Sequence, residues 1–300
     1  MADFTLENLK TAGVGFKKNY QQGFNSFAAM WGQVASEVPS TTGSNEYGWL
    51  GEFPGMREWI GERVIRQLGT HDYRIKNRKF ELTVGFKLDD LADDNLGIYA
   101  PRMTGMGEAV ARHPDELIFE TLELGFESAC YDGQNFFDTD HPVLDKEGEE
   151  QSKSNFFDGA GPAWYLMDTS RALKPLVRQV RQAPEFNALT DTSSERVFML
   201  DEVIYGAKSR ENAGYGFWQM AFASKKELTP DNFAEAYTAM TSQEGDYGRK
   251  LALKPNVLLV PNTLEDTANI LMSVEKFENN KPNPHRNKCK VVVCPWLSTG

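Results

Sequence analysis

Asp132 and the run Asp138-Thr139-Asp140-His141 come nearest, in this chain of 300 residues, to a constellation that could do chemistry. Carboxylates and an imidazole this close can hold a divalent cation and activate water, which would make the protein a metal-dependent hydrolase using the Asp138–His141 loop. Such a site draws further ligands from distant segments, and His71, His113 and His285 lie in no supporting motif. Asp and Pro are also what a tight turn takes for purely local reasons. Cys130 stands two residues before Asp132 with no basic neighbour to make it a thiolate, so it reads as a small buried residue near a helix end. The chain has no GxxxxGK[ST], no GxGxxG after a strand, no HExxH and no GxSxG. The expectation is therefore no catalytic residue, no cofactor and no metal ligand, with the hydrolase kept as the rival of a different class.

The element that must position this loop runs from Gly107 to Val143. Leu117, Phe119, Leu122 and Phe126 recur at near-helical spacing, and Ile118 widens the apolar face. Pro114 predicts a kink or junction, and Asp115 and Glu116 suit the first turn beyond it. Tyr131-Asp132-Gly133 stops the helix, and Asp138 to Pro142 is a dense run of turn formers.

Composition excludes several classes. A formal charge of −11, from 43 acidic and 32 basic residues, argues against a protein whose task is to grip nucleic acid. Cys130, Cys289 and Cys294 form no framework of pairs and no Cys-x-x-Cys, which suits a reducing compartment without structural zinc. There is no secretory leader pattern and no apolar run long enough to span a bilayer, so a soluble protein made in the cytoplasm is expected.

Charge is unevenly distributed. Between Arg63 and Lys87 seven basic residues face two acidic ones, a net +5. From Asp115 to Asp158 thirteen acidic residues face two basic ones, a net −11. A basic hairpin and an acidic helix and loop on one chain suggest contacts between copies. An ordinary intramolecular face is the alternative.

Upstream, Phe16, Tyr20, Phe24, Phe27 and Trp31 make a helical aromatic stripe, weakened by Gly13, Gly15 and Gly23. The stripe packs either on its own core or, as an arm, on a neighbouring subunit, with residues 36–48 as a turn-rich linker. RVIRQL and KFELTVGF are strand-like, with YRIKN alternating between them. Residues 164–205 read as strands with loops, and 214–223 as aromatic and buried. Thr229-Pro230-Asp231 is a helix start. Val257–Val260 and Cys289–Cys294 read as buried strands, and Asn262 with Glu265, or Thr263 with Asp266, as the cap of a helix between them.

Several long runs resemble the major head (capsid) subunits of Mu-like bacteriophages and prophages. They are GEFPGMREWIGERVIRQL at 51–68, NRKFELTVGFKLDDL at 77–91, HPDELIFETLELGF at 113–126 and YDGQNFFDTDHPV at 131–143, supported by LTPDNFAEAYTAM at 228–240 and PNVLLVPNTLEDTA at 255–268. The resemblance implies an α+β HK97-like capsid fold. Its parts would be an N-terminal arm (1–45), an extended β-hairpin loop region (46–90), a peripheral domain with a long spine helix (91–224), and an axial domain with a mixed sheet (225–300). It implies a virion protein that assembles with itself, as pentamers and hexamers, into an icosahedral head. The expected partners are scaffold and head-maturation proteins and non-specifically held double-stranded DNA, with no membrane. Inter-subunit contact candidates are Arg63, Arg66, Arg74, Lys76, Arg78 and Lys79 on the basic hairpin, Phe24 and Trp31 on the arm, and Glu120, Glu123 and Glu127 on the spine. An encapsulin-like cellular compartment is the alternative within the same fold.

Overall fold

A 25-residue helix, α3 (Tyr99–Glu123), runs through Pro114 without leaving helical geometry and touches two of the three apolar clusters. The computed structural model describes residues 6–47, 73–93, 97–191, 193–277 and 280–299. Proline costs the helix one hydrogen bond, and packing on both sides of it compensates. Tyr99, Met103 and Met106 pack in one cluster, and Leu117, Ile118, Phe119 and Leu122 in another. The step from residue to residue is near-helical, so one stripe of α3 serves both.

The helix α1 (Leu6–Ser26) lies against α3. A Cβ on Gly23 would sit 1.9 Å from the Thr104 carbonyl oxygen, and one on Gly107 would sit 2.0 Å from the Tyr20 carbonyl oxygen. The two backbones meet at these glycines, and any side chain there would hold them apart. The aromatic stripe is thus turned onto its own chain. Phe16 contacts Phe86 and Tyr205, with ring centres 5.9 and 5.4 Å apart, and Tyr20 contacts Phe186 at 4.6 Å. The helix ends at Ser26, so Phe27 lies beyond it and Trp31 opens a separate 3-10 turn. The buried Asp115 carboxylate accepts the backbone N–H of Met30 (2.9 Å) and Trp31 (2.7 Å), fixing that turn to the spine.

Beyond the turn, β1 (Ala35–Pro39) joins a four-stranded sheet with β9 (Leu176–Leu189), β10 (Glu202–Tyr215) and β4 (Arg78–Lys87), in the order β1-β9-β10-β4. β1 runs parallel to β9, and β10 is antiparallel to both its neighbours. Burial along β10 alternates almost strictly, as a half-buried strand requires. Glu211 of β10 is fully buried, accepts from Arg178 of β9 at 2.6 Å, and is also bonded by Ser209 at 3.0 Å. The Arg178 guanidinium lies 4.7 Å from the Trp31 ring centre.

A second sheet has the order β15-β14-β8-β11-β7, from β7 (Phe156–Phe157), β8 (Trp164–Met167), β11 (Ala221–Ser224), β14 (Val257–Pro261) and β15 (Lys290–Cys294). Its central strands are buried on both faces. Tyr165, Met167, Val257 and Leu259 face the cluster that holds the C-terminal half of α3. Trp164, Leu166, Leu258 and Val260 face α5 (Pro230–Thr241) and α6 (Glu265–Ser273). This is why the sequence there is continuously apolar rather than alternating.

Several expectations are corrected. RVIRQL and the turn at 69–72, the first half of the expected basic hairpin, lie outside the described residues. Among the described residues β3 (Arg74–Lys76) is antiparallel to β2 (Ser44–Glu46), and β4 pairs residue by residue with β10. The 195–200 segment is a helix, α4 (Glu195–Leu200), in the connection between β9 and β10, not a strand. Ser194 and Glu195, a cap residue followed by a first-turn acid, were the available signal. At α6 a 3-10 turn over Asn262–Leu264 leads into the helix and no side chain caps it. The Thr229 cap is present, its hydroxyl accepting the Asn232 N–H at 3.2 Å. β15 is an edge strand and only half-buried.

The glycines of α3 give a paired test. Nothing lies within 4 Å of a Cβ at Gly105. Gly105→Ala should stabilise the protein by roughly 0.5–1 kcal/mol through helix propensity. Gly107→Ala should destabilise it by ~1–3 kcal/mol through overpacking. Urea denaturation of the two variants should therefore move the midpoint in opposite directions.

Candidate functional site: a buried polar network and the exposed contact residues

The loop after α3 passes through a 3-10 turn at Leu124–Phe126 and folds back on itself before the hairpin of β5 (His141–Leu144) and β6 (Glu150–Lys153). His141 is fully buried at the start of β5, its ring stacked on Trp218 with centres 3.9 Å apart and planes at 9°. Its Nδ1 is 2.7 Å from Asp132 Oδ2 and its Nε2 is 3.2 Å from Asn155 Oδ1.

The orientation of Asn155 is fixed by its own bonds. Its amide nitrogen donates to the carbonyls of Phe136, Trp218 and Ala221, at 2.8, 3.3 and 3.3 Å, and its oxygen accepts the Asp138 N–H at 2.9 Å. Both nitrogens of His141 therefore face oxygen acceptors, Nδ1 the Asp132 carboxylate and Nε2 the Asn155 amide oxygen. Asp132 also accepts the Cys130 thiol at 3.0 Å and the Gln134 N–H at 3.1 Å. Burial opposes the charge on Asp132, but the bonds from His141 and Cys130 and the His141 charge outweigh it and hold the carboxyl below its usual range. Burial, reinforced by the Asp132 charge, pushes the Cys130 thiol far above its ordinary value.

Cys130, Asp132 and His141 bring three possible ligand atoms within 4.8 Å of one another. The bonding does not fit a metal ion. The thiol keeps its proton, the imidazole nitrogen that faces the carboxylate donates to it, and both Asp132 oxygens are already occupied. The loop residues named from the sequence do not converge either. Asp138 turns back on its own loop, accepting the Thr139 N–H at 2.7 Å and the Asn135 N–H at 3.3 Å. Asp140 is in solvent, where its hydrogen bond with Asp138, backed by slight burial and the Asp138 charge, raises its carboxyl. The arrangement is a closed, satisfied clamp that ties the loop to Trp218 and the second sheet. Its key partners, Asn155 and Trp218, lie 14 and 77 residues downstream of His141 and carry no motif, so the sequence could not nominate them.

The contact candidates occupy different settings. Arg63 and Arg66 lie outside the described residues. Lys76, Arg78 and Lys79 are exposed, and Arg74 is exposed beside Glu46. Glu120 and Glu127 are exposed, and Glu123 is half-buried and accepts the Ser298 N–H. Phe24 and Trp31 are half-buried and use their apolar surface within the chain, on Tyr20 and under Arg178. Among the described residues no helix is long and apolar enough to cross a membrane.

Comparison with known proteins agrees across the whole chain. The family described as "Mu-like prophage major head subunit gpT" matches residues 9–297. The major capsid protein of Escherichia phage Mu is 44% identical over 302 residues, covering 98% of this chain and 99% of that protein. The Mu-like prophage FluMu major head subunit of Haemophilus influenzae is 44% identical, covering 92% of each. Among solved structures, a chain from the procapsid of bacteriophage JBD30 superposes with a TM-score of 0.86 at 47% identity, covering 98% of this chain and 100% of that one. A chain from the JBD30 capsid gives 0.78 at 36% identity, covering 91% and 92%.

Asp132 provides a test of the network. Because its folded carboxyl lies below its ordinary value, the unfolded chain takes up the proton first on acidification. The stability it lends is complete above the ordinary carboxylate pKa of ~4 and is lost as pH falls through the lower folded value. Asp132→Asn should cost ~1–3 kcal/mol at neutral pH in urea denaturation. The gap to the wild type should narrow below about pH 4, and a gap that stays constant on acidification would contradict the paired carboxylate.

Proposed function

The chain belongs to the Mu-like prophage major head subunit gpT family and is a major capsid protein of a phage head with the HK97-type fold; on that footing we propose that it builds an icosahedral shell of pentamers and hexamers around double-stranded DNA. The observation that carries this reading is the match to a procapsid subunit over 98% of this chain and 100% of that one. The protein is a structural subunit and not an enzyme.

The parts divide the work as follows. Residues 1–45 serve as the arm and 46–90 as the extended loop region, rooted at β2 and β3. Residues 91–224 form the peripheral domain around α3, and 225–300 the axial domain around the second sheet. Pentamers and hexamers close through the axial domain. Arg63, Arg66, Arg74, Lys76, Arg78 and Lys79, the arm, and Glu120, Glu123 and Glu127 supply lateral contacts. Exposed ion pairs of this kind are individually weak, so they set register more than affinity. The subunit is made in the host cytoplasm and meets scaffold and head-maturation proteins there. A net charge of −11 suits a container wall, because a basic lining would condense on the packaged DNA and hold it.

Particles recovered from lysing host cells should protect double-stranded DNA from nuclease, and the protected strands should be released intact when the shell is denatured. Particles of the same protein that hold protein cargo and no DNA would favour the cellular compartment instead.

A further inference from the structure

The four-stranded sheet has two chemically opposite ends. At one end α4 buries Val197 and turns Phe198, Met199 and Leu200 into solvent, 79%, 71% and 52% exposed. Leu189, at the end of β9, is exposed beside it and pairs with Ile204 across the sheet. Large apolar side chains scattered singly on a surface need no explanation, but three consecutive ones on a strand connection form a patch. The rim of this patch is acidic. Glu195 opens α4 and Asp201 follows it, and Asp89 and Asp90 stand on α2 (Leu88–Ala92), which is tied to it by the Leu88 N–H donating to the Asp201 carbonyl at 2.9 Å; these four acids outnumber the exposed Arg196 and Lys87 at the same end.

The other end of β4 is basic. This basic patch lies where β4 begins, part-way along β9 and β10: Lys79 of β4 is directly opposite Arg210 of β10, Arg78 is opposite Glu211, which Arg178 already holds, and Arg181 stands on β9. Like charges directly across an antiparallel pair are destabilising. Among the described residues, none of Arg78, Lys79, Arg181 and Arg210 has a carboxylate partner. Arg210 Nε is buried with no hydrogen-bond partner at all. The two ends lie at opposite ends of β4, about 30 Å apart at the usual strand rise, so one copy cannot bring them together.

We propose that these ends are the two halves of one contact between copies of this chain: the acidic, apolar end around α4 seats on the basic end of the sheet of a second copy, head to tail. The inference rests on the reading of the chain as a shell subunit, which makes a second copy the abundant partner. Charge complementarity selects the orientation. End-to-end pairing of like ends would oppose acid to acid or cation to cation, whereas head-to-tail pairing gives the Lys79–Arg210 pair its missing anions and covers Phe198 and Met199. A head-to-tail contact is heterologous, so it leaves a free half at each end and propagates until the geometry closes, as a shell requires.

The test uses three full-length proteins in sedimentation velocity and electron microscopy. One carries Phe198→Asp with Met199→Asp, and another carries Arg78→Gln with Lys79→Glu. All four side chains are exposed, so both variants should melt like the wild type. Each alone should stop short of the large assemblies that the wild type forms under the same conditions. Mixed in equal amounts, the two variants should associate one to one into larger species than either forms alone, since each keeps the half that the other has lost. Variants that assemble like the wild type, or a mixture that sediments no faster than the variants alone, would overturn the contact. A wild type that builds no closed shell, beside variants that still pair on mixing, would uphold the contact and sink the shell reading.

Discussion

The rest of the molecule depends on how closely α1 and α3 approach. At Gly23 and Gly107 the two backbones touch without an intervening side chain. That approach brings Phe16 and Tyr20 onto the sheet and closes the cluster around Phe86, Tyr99 and Tyr205. Asp115 then fixes where the arm ends. Its buried carboxylate is pushed up by burial, while the N–H groups of Met30 and Trp31 and the nearby Arg178 charge pull it back. A carboxylate buried at such cost is tolerated because it satisfies two backbone donors and sets the turn that delivers β1 to β9 in register. Arg178 links the same turn to the sheet interior through Trp31 and Glu211.

The second sheet and the buried network extend this scaffold toward the C-terminus. The spine covers one face of the sheet and α5 and α6 the other, so the long apolar runs of β8 and β14 are explained by two partners rather than one. The His141 clamp anchors the loop that leads the chain off the spine. It looked like chemistry in the sequence because a satisfied buried carboxylate–imidazole pair and a catalytic one draw on the same residue types. The difference lies in the surroundings. Here every polar atom of the ring and carboxylate is bonded within the protein, and none is left facing a cavity.

Local signals carried much of the fold. The near-helical spacing from Leu117 to Phe126, the Thr229-Pro230-Asp231 start and the Val257–Val260 run each correspond to the element they suggested, because each is decided within a few residues. What failed was decided at long range. The strand-like run Arg78–Lys87 gave no sign that it would pair with Glu202–Glu211, more than a hundred residues downstream. Val197 to Leu200 reads as strand-like, yet it belongs to a short helix in the connection between two strands of one sheet, a placement set by the pairing of β9 with β10. Gly23 read as a helix weakness, and its purpose, like that of Gly107, becomes visible only with both helices in place. Asp115 read as a first-turn acid, and its bond to residues some 85 positions away could not be inferred from spacing. The family, by contrast, was legible from long runs alone, since those runs preserve the whole set of long-range contacts at once.

The subunit's task is geometric: a spine and two sheets hold charged and apolar surfaces at set separations so that identical copies can assemble into a capsid. Single-particle electron microscopy of the purified full-length protein tests this most directly. The predicted result is closed icosahedral particles in whose density the α1–α3 crossing and both sheets fit every subunit. A protein that remains a discrete monomer or small oligomer under all conditions in which it is folded would contradict it.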